Sequence, residues 1–174
     1  QAAGVQVHTL APDDPLAVAA RELNIGFFSR MERGRPWVRM KIAASIDGQT
    51  ALANGQSQWI TGPQARADGH AWRARACAIL TGIGTVLEDD PQLTVRGLDV
   101  PRQPHLVVVD SRLELPLNAR LLDTLGSGEQ ARQIWIYTAH SGQAEKRAAL
   151  KARGVEVIDC PGPGEKVDLA ALLR

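Results

Sequence analysis

The first pattern along the chain is a helical one with a single apolar stripe. One helix is predicted over residues 14–33, because apolar positions recur there every three or four residues. Asp14 can cap its first turn, Pro15 suits that turn, and Gly34 ends the pattern. The predicted stripe consists of Leu16, Ala20, Leu23, Phe27 and Met31.

Short apolar runs then alternate with amphipathic stretches. Two further helices are predicted, one starting near Thr61 and one over residues 141–154 that ends at Gly154. The apolar runs are typical of buried strands, and the second of them is expected to lead into a glycine loop. Strands separated by helices indicate an α/β protein with a mostly parallel sheet covered on both faces. The predicted strands lie within residues 37–45, 77–86, 105–111, 134–138 and 155–159.

Composition is ordinary for a globular protein, with 44% hydrophobic and 22% charged residues in 174. A formal net charge of +1 predicts neither a nucleic-acid partner nor an anionic membrane partner. Most of the basic residues are arginines, which pair in a planar, bidentate way with phosphate or carboxylate. The composition therefore favours an anionic small molecule as the ligand.

The two cysteines, Cys77 and Cys160, are far apart, and no Cys/His cluster has metal-ligand spacing. Neither a disulfide nor a metal site is expected, which favours a reducing cytoplasm. No apolar run has the length of a membrane span. The sequence begins at Gln1 and ends within an apparent helix, so a fragment of a longer protein is expected.

Candidate ligand-binding residues follow the predicted strands, because parallel sheets bind ligands at the carboxyl ends of their strands. Ser45, Asp47 and Ser111 occupy such positions, although an Asp-Gly pair more often marks a plain turn. Lys41 lies on a strand predicted to be buried, where an ammonium needs a partner or a task. Trp59 alone is more typical of a core than of a cofactor site.

Arginines near the middle of the chain allow two interpretations. Arg73 and Arg96 can form a phosphate cradle, because a guanidinium donates to two oxygens at once. The alternative is that Arg66, Arg73 and Arg75 form a solvated face of one helix. The spacing of these residues leaves both interpretations open.

Four stretches of the chain are "RPWVRMKIAASIDGQTA", "SQWITGPQAR", "AILTGIGTVLEDDPQLTVR" and "HLVVVDS". They occur in the same order and at compatible spacing in a known enzyme family. The chain resembles the reductase domain of the bifunctional riboflavin biosynthesis deaminase-reductase, closely over residues 35–111 and loosely beyond. Residues 23–36 resemble the last helix of that family's deaminase domain and its linker. The resemblance therefore implies a division into residues 1–36, the end of a deaminase domain and linker, and residues 37–174, the N-terminal part of a reductase domain.

This resemblance implies a dihydrofolate-reductase-like fold, a three-layer sandwich around a mostly parallel sheet. It also implies NADPH as hydride donor and a phosphorylated ribosylaminopyrimidine as substrate, with Arg73 and Arg96 at the phosphate and Lys41 nearby. The implied substrate contacts are Ser57, Arg73, Leu93 and Arg96, and the implied cofactor contacts are Ala43, Trp59, Thr85, Asp89 and Ser111.

The implied reaction reduces the ribosyl group of 5-amino-6-(5-phosphoribosylamino)uracil to the ribitylamino product. An imine nitrogen needs a proton as the hydride arrives, and Asp89, Lys41 or an ordered water can supply it. A homodimer is a further expectation from the resemblance.

Two segments of the family have no counterpart in the sequence. The deaminase's zinc-binding segments are not matched, so zinc is expected only in a deaminase part outside these residues. The glycine-rich loop that holds the NADPH pyrophosphate is expected beyond Arg174. Two alternatives therefore stay open: a dihydrofolate-reductase-like enzyme, and a non-catalytic nucleotide-binding module on a degenerate reductase fold.

Overall fold

The computed structural model describes residues 3–126, 128 and 131–174, and it divides the chain into two compact units. The first unit contains the described residues up to Met40 together with Leu173 and Arg174. The second unit is Lys41–Leu172 and contains the sheet.

The first unit has two helices, α1 over Pro15–Leu23 and α2 over Ile25–Arg33. Asp14 caps α1 as predicted, with its Oδ1 accepting a hydrogen bond from the amide of Leu16 at 2.8 Å. The prediction of one continuous helix is wrong, because the backbone leaves the helical region at Asn24, at φ −105° and ψ 20°. The amide side chain of Asn24 donates to the carbonyl of Ala20 at 2.8 Å, so it satisfies a carbonyl at the end of α1.

Apolar residues of α1 and α2 are largely exposed. Ser29 is the buried residue of α2, and its hydroxyl donates to the carbonyl of Arg35 at 2.9 Å. Gly34 ends α2 as predicted, at a φ of 64° that favours glycine. The predicted apolar stripe is therefore mostly solvent-facing, at Leu16, Leu23, Phe27 and Met31.

The second unit is built on four parallel strands in the order β1-β2-β3-β4, which confirms the predicted α/β class with a parallel sheet. One helix precedes β1, another connects β1 to β2, and a third connects β3 to β4. A 3₁₀ helix precedes β3. The elements are α3 Pro63–Arg75, β1 Ala78–Gly82, α4 Ile83–Asp89, β2 His105–Val109, a 3₁₀ helix Arg120–Thr124, β3 Ile134–Thr138, α5 Ala144–Ala152, β4 Glu156–Asp159, a 3₁₀ turn Pro163–Glu165 and α6 Leu169–Leu172.

The hydrophobic core lies on one face of this sheet. Leu106 pairs in register with Ile134, and Val108 with Ile136, so alternate residues of β2 and β3 bury the same face. The opposite face is less covered than predicted, because Leu80 on the edge strand is 50% exposed. The core cluster comprises Val86, Leu106, Val108, Leu113, Leu115, Ala119, Leu121, Leu122, Ile134, Ile136, Leu150 and Val155.

Two local predictions near the start of this unit are wrong. Residues 37–45 form no strand, and Val38, Met40 and Ile42 are exposed. A strand needs a partner for its backbone groups, and no described strand pairs with this segment. The glycine loop predicted after β1 is helix α4, in which Gly84 is helical and Val86 is buried.

Candidate substrate and cofactor site

Residues 92–96 form a loop, called here the 92–96 loop, whose backbone is held by side chains from elsewhere in the second unit. Arg73 on α3 donates from Nη1 to the carbonyl of Thr94 at 2.8 Å. The Oε1 of Gln103 accepts from the amide of Val95 at 2.7 Å, and the Nε2 of Gln103 lies 3.4 Å from the Val95 carbonyl. The loop has no secondary structure of its own, so these bonds satisfy backbone groups that a strand or helix would otherwise pair.

Arg132 is the most buried of the side chains that hold this loop, with 4% of the residue exposed. Its Nη2 donates to the carbonyl of Leu93 at 2.6 Å, and its Nη1 donates to the carbonyl of Gln92 at 3.0 Å. Its other two bonds go to the carbonyl of Pro104 at 2.7 Å and to the hydroxyl of Thr124 at 2.8 Å. One guanidinium therefore joins the loop to the residue before β2 and to the 3₁₀ helix before β3.

Leu93 adopts a left-handed backbone conformation, with φ at 54°. A non-glycine residue at positive φ is uncommon and persists where its surroundings hold it in place. Arg132 donates to the carbonyl that precedes Leu93, that of Gln92, and to the carbonyl of Leu93 itself. These two bonds flank the φ and ψ angles of Leu93. Arg132 thus holds the loop at Leu93, whose positive φ is the unfavourable backbone angle of the loop.

The guanidinium groups at the 92–96 loop are close enough to affect one another's pKa. Burial, and then the charge of Arg96, lowers the pKa of Arg73. Burial, and then the charge of Arg73, lowers the pKa of Arg132 to about 10, so Arg132 stays protonated at neutral pH. None of the ion pairs among the described residues includes Arg73, Arg96 or Arg132. An anion placed beside these guanidinium groups would relieve their mutual repulsion.

His70 on α3 extends this cluster. Its Nδ1 accepts a hydrogen bond from the backbone amide of Arg96 at 3.2 Å, which requires an unprotonated Nδ1. Burial, and then the charges of Arg73 and Arg96, lowers the pKa of His70. A neutral imidazole is therefore the form that holds the end of the loop.

The three arginines considered on α3 have different surroundings. The guanidinium of Arg66 lies 4.5 Å from the ring centre of Trp59, and that of Arg75 lies 4.8 Å from the ring centre of Trp72. Arg73 instead turns to the 92–96 loop. The interpretation of all three as one solvated helix face is therefore wrong for Arg73.

Residues that follow the strands at the carboxyl edge of the sheet have partly structural roles. Asp110 is fully buried, and its two carboxylate oxygens accept from the amides of Glu114 and Leu115 at 2.8 Å each. The hydroxyl of Ser111 accepts from the amide of Val167 at 3.2 Å. A hydroxyl that accepts one bond still has its proton to donate, so Ser111 can contact a ligand.

The remaining cofactor candidates lie on α4 and before α3. Thr85 and Asp89 are four residues apart on α4, so they share one face, and both are exposed. Trp59 is 71% exposed, so the interpretation of this residue as core is wrong. Ala43 is half-buried and belongs to no helix or strand. A hydroxyl, a carboxylate and an aromatic ring at the surface are groups that can contact a nucleotide.

Lys41 and Ser57 are both exposed, so the prediction of a buried Lys41 is wrong. The apolar residues around Lys41 form no paired strand, and the ammonium therefore stays in solvent. No hydrogen bond or ion pair given for the described residues joins Lys41 or Ser57 to the 92–96 loop. The structure thus brings Arg73, Leu93 and Arg96 together at one loop, and it shows no such contact for Lys41 or Ser57 within its described residues.

Sequence reasoning missed His70, Gln103 and Arg132 in this site. Their bonds to the loop span 26, 8 and about 40 residues of sequence, and no local motif marks such contacts. The one available signal is the position of Arg132, a charged residue two places before the apolar strand β3. A charge beside a buried strand indicates a hydrogen-bonding task, as Arg132 has.

Among the described residues, no group of three or more His, Cys, Asp or Glu side chains could hold a metal ion. Within the same described ranges, none of the helices has the length and apolar character needed to cross a membrane.

Residues 36–174 match the RibD C-terminal domain family. The riboflavin biosynthesis protein RibD of Aquifex aeolicus is 41% identical over 143 residues, which cover 82% of this chain and 38% of the relative. The chain is thus an α/β domain of the dihydrofolate-reductase-like class, and it belongs to the RibD C-terminal domain family. It spans less than half the length of the curated relatives it matches.

Solved structures agree with this assignment. A RibD structure from Acinetobacter baumannii superposes with a TM-score of 0.73 at 37% identity, covering 91% of this chain and 41% of that one. A diaminohydroxyphosphoribosylaminopyrimidine deaminase/5-amino-6-(5-phosphoribosylamino)uracil reductase from Thermotoga maritima has a TM-score of 0.63 at 26% identity, covering 86% and 46%. The predicted fold class and the predicted family are confirmed.

Proposed function

We propose that this chain is the substrate-binding part of a reductase that acts in riboflavin biosynthesis. The reaction is the NADPH-dependent reduction of the ribosyl group of 5-amino-6-(5-phosphoribosylamino)uracil to the ribitylamino product. The observation that carries the proposal is the cluster of guanidinium groups at the 92–96 loop, in a chain that belongs to the RibD C-terminal domain family. The similar Thermotoga maritima protein is named as a 5-amino-6-(5-phosphoribosylamino)uracil reductase, which supports the same substrate for this chain.

Arg73 and Arg96 bind the substrate phosphate in this proposal. Arg73 uses Nη1 for the carbonyl of Thr94, which orients its guanidinium and leaves its other nitrogens for a ligand. Arg96 presents an exposed side chain at the end of the same loop. Leu93 and Ser57 complete the substrate contacts, with Leu93 beside the pyrimidine or ribose.

NADPH supplies the hydride when it is bound. The residues assigned to it have surfaces that suit a nucleotide, with the hydroxyls of Thr85 and Ser111 as hydrogen-bonding groups and the ring of Trp59 as a stacking surface. Ala43 offers a small side chain that lets a ligand approach the backbone. The carboxylate of Asp89 serves as an acceptor for a ribose or amide group.

The imine nitrogen formed on opening of the ribosyl ring must receive a proton. Asp89, Lys41 or an ordered water supplies it, and the exposure of both side chains lets either one reach a bound substrate. The protein otherwise contributes by holding the sugar carbon beside the hydride donor.

Residues 1–36 are proposed to be the end of a deaminase domain with its linker, and residues 37–174 the N-terminal part of the reductase domain. The separation of the chain into compact units after Met40 supports this division. Zinc is assigned to the deaminase part alone.

Substitution of the two arginines tests the proposal. In the intact enzyme, Arg73→Ala or Arg96→Ala should raise KM for the phosphorylated substrate by about one to two orders of magnitude, the cost of one charge-assisted hydrogen bond to a dianion. Arg75→Ala, two residues along α3 and stacked on Trp72, is the matched control and should leave this KM unchanged. The measurement is steady-state reduction of the phosphorylated substrate and of its dephosphorylated analogue.

The analogue separates phosphate binding from a general structural defect. The KM for the analogue is already high and should change little, because the analogue offers no phosphate for either arginine to bind. Equal losses on both substrates would mean that Arg73 and Arg96 support the fold and that the phosphate is bound elsewhere.

A further inference from the structure

We propose that Arg132 is a positioning residue of the substrate site, which holds the 92–96 loop so that Leu93 and Arg96 meet the substrate. This inference rests on the function proposed above. Arg132 itself is buried behind the loop and does not contact the ligand.

The hydrogen bonds of Arg132 all serve to join the loop to the sheet. Two of them end on the carbonyls of Gln92 and Leu93 within the loop, and two end on Pro104 and Thr124 outside it. Arg132 lies two residues before β3, and Pro104 lies directly before β2, so the guanidinium is held between two central strands of the sheet. The loop thereby takes its position from the most rigid part of the unit.

A guanidinium is the side-chain group that can make this set of bonds. Its planar fork directs donors to several acceptors at once, and here the acceptors are all neutral oxygens. The three donors of a lysine ammonium spread from a single nitrogen and cannot reach the same four oxygens together. Methionine has similar length and supplies no donor.

The other side-chain bonds to the loop lie from Thr94 onward, where Arg73 donates to the Thr94 carbonyl, so Arg132 is the side chain that holds Gln92 and Leu93 among the described residues. His70 holds only the amide of Arg96, and Gln103 holds Val95. Without Arg132, Gln92 and Leu93 keep no side-chain hydrogen bond from the described residues, and Leu93 is free to leave its left-handed conformation. The geometry that presents Leu93 and Arg96 together would then be populated only part of the time, which weakens binding by that fraction.

Loss of a populated binding geometry should appear in KM more than in kcat. The phosphate is remote from the carbon that receives the hydride, so a substrate that has bound correctly should react at nearly the normal rate. The preference for the phosphorylated substrate over its dephosphorylated analogue should fall, because a displaced Leu93 shifts the loop that presents Arg96 beside Arg73.

The experiment compares Arg132→Lys and Arg132→Met with a matched control in the intact enzyme. Arg153→Met is the control, because the guanidinium of Arg153 likewise donates to a backbone carbonyl, that of Leu117 at 2.5 Å, at a site that makes no bond to the 92–96 loop. The readouts are kcat, KM for the phosphorylated substrate, KM for the analogue, KM for NADPH, and the midpoint of thermal unfolding.

Arg132→Lys should raise KM for the phosphorylated substrate by about tenfold, the effect expected from losing a charge-assisted hydrogen bond, with kcat changed by less than about threefold. KM for NADPH should be unchanged. Arg153→Met should lower the unfolding midpoint without changing the preference for phosphate. Arg132→Met should show the same KM effect more strongly than the lysine variant.

Outcomes that overturn the inference are distinct from failure of the proposed function. A wild-type enzyme that does not reduce the substrate would refute the proposed function itself. An active wild type whose Arg132→Lys variant keeps its full preference for phosphate would refute the positioning role alone. A lysine variant that does not fold would also refute it, because Arg132 would then serve the fold as a whole.

Discussion

At the scale of single residues, His70 couples the protonation of one imidazole to the position of the 92–96 loop. Its Nδ1 accepts from the amide of Arg96, and the charges of Arg73 and Arg96 face it from α3 and from the loop. Protonation of His70 would remove the Nδ1 acceptor and place a positive charge beside those of Arg73 and Arg96. The folded state therefore favours the neutral form.

This preference predicts a pH dependence of stability. Because the pKa of His70 is lower in the folded state than its usual 6.5, the unfolded state binds the proton first as pH falls. The contribution of neutral His70 to stability is fully present above about 6.5 and is lost as pH falls through the folded-state pKa. The free energy of unfolding of the wild type should therefore decrease with falling pH in this window.

His70→Asn isolates the effect, because an amide oxygen can accept from the Arg96 amide without titrating. The pKa of His105 is also lowered, first by burial, so the wild type and the variant share that background. Urea unfolding measured from about pH 8 to about pH 5 should show a smaller decrease for the variant. Parallel curves would mean that His70 does not titrate differently in the two states.

At the scale of elements, helix α5 is held to the sheet by one fully buried leucine. Leu150 is 0% exposed and belongs to the core cluster, whereas Leu87 on α4 is 52% exposed. Leu150→Ala should lower the free energy of unfolding by about 2 to 5 kcal/mol, because it removes buried apolar surface and leaves a cavity. Leu87→Ala, the matched change in another helix, should alter it by less than about 0.5 kcal/mol.

Urea titration of the Leu150→Ala and Leu87→Ala variants measures the change in the free energy of unfolding for each. Equal losses would mean that α5 is no more closely packed than the surface of α4. A loss below about 1 kcal/mol for Leu150→Ala would indicate that the core collapses around the missing side chain.

The elements that sequence analysis predicted correctly are those whose pattern is local. Strands β2 and β3 are mainly apolar runs, β4 has Val157 and Ile158 at its centre, and α5 ends before Gly154, whose φ of 86° favours glycine. Residues 37–45 have an equally good strand pattern and form no strand, because pairing depends on a neighbour that the pattern does not contain. The break at Asn24 was missed because the apolar period continues through it.

The residues of the site also divide into those that a sequence pattern marks and those that depend on distant partners. Resemblance to a family pointed to Arg73, Leu93 and Arg96, which the structure brings to one loop. The side chains that hold this loop come from distant positions, and composition or spacing gives no means to pair Arg132 with Leu93. The groups proposed to meet the ligand were therefore accessible from sequence, and the groups that position them were not.

At the scale of the whole molecule, burial is distributed unevenly along the chain. The buried hydrophobic side chains of the described residues all lie between Val86 and Val167. Most large apolar side chains before residue 60 are instead exposed, with Ile42 at 60% and Ile46 fully exposed, while Ile25 and Phe28 are half-buried. Exposed apolar residues that are close together in a chain are typical of association surfaces.

The last prediction is that this surface joins two copies of the protein, as the family resemblance led us to expect. A homodimer would bury Ile42 and its apolar neighbours against the same residues of a second copy, since most soluble oligomers are symmetric. Analytical ultracentrifugation of the intact protein should show a dimer, and Ile42→Asp combined with Ile46→Asp should give a monomer, because two buried carboxylates without partners disfavour the interface. Leu117→Asp, at a 43% exposed apolar position later in the same unit, is the control and should remain dimeric. A wild type that sediments only as a monomer would refute dimerisation, and a double variant that stays dimeric would assign the interface to another surface.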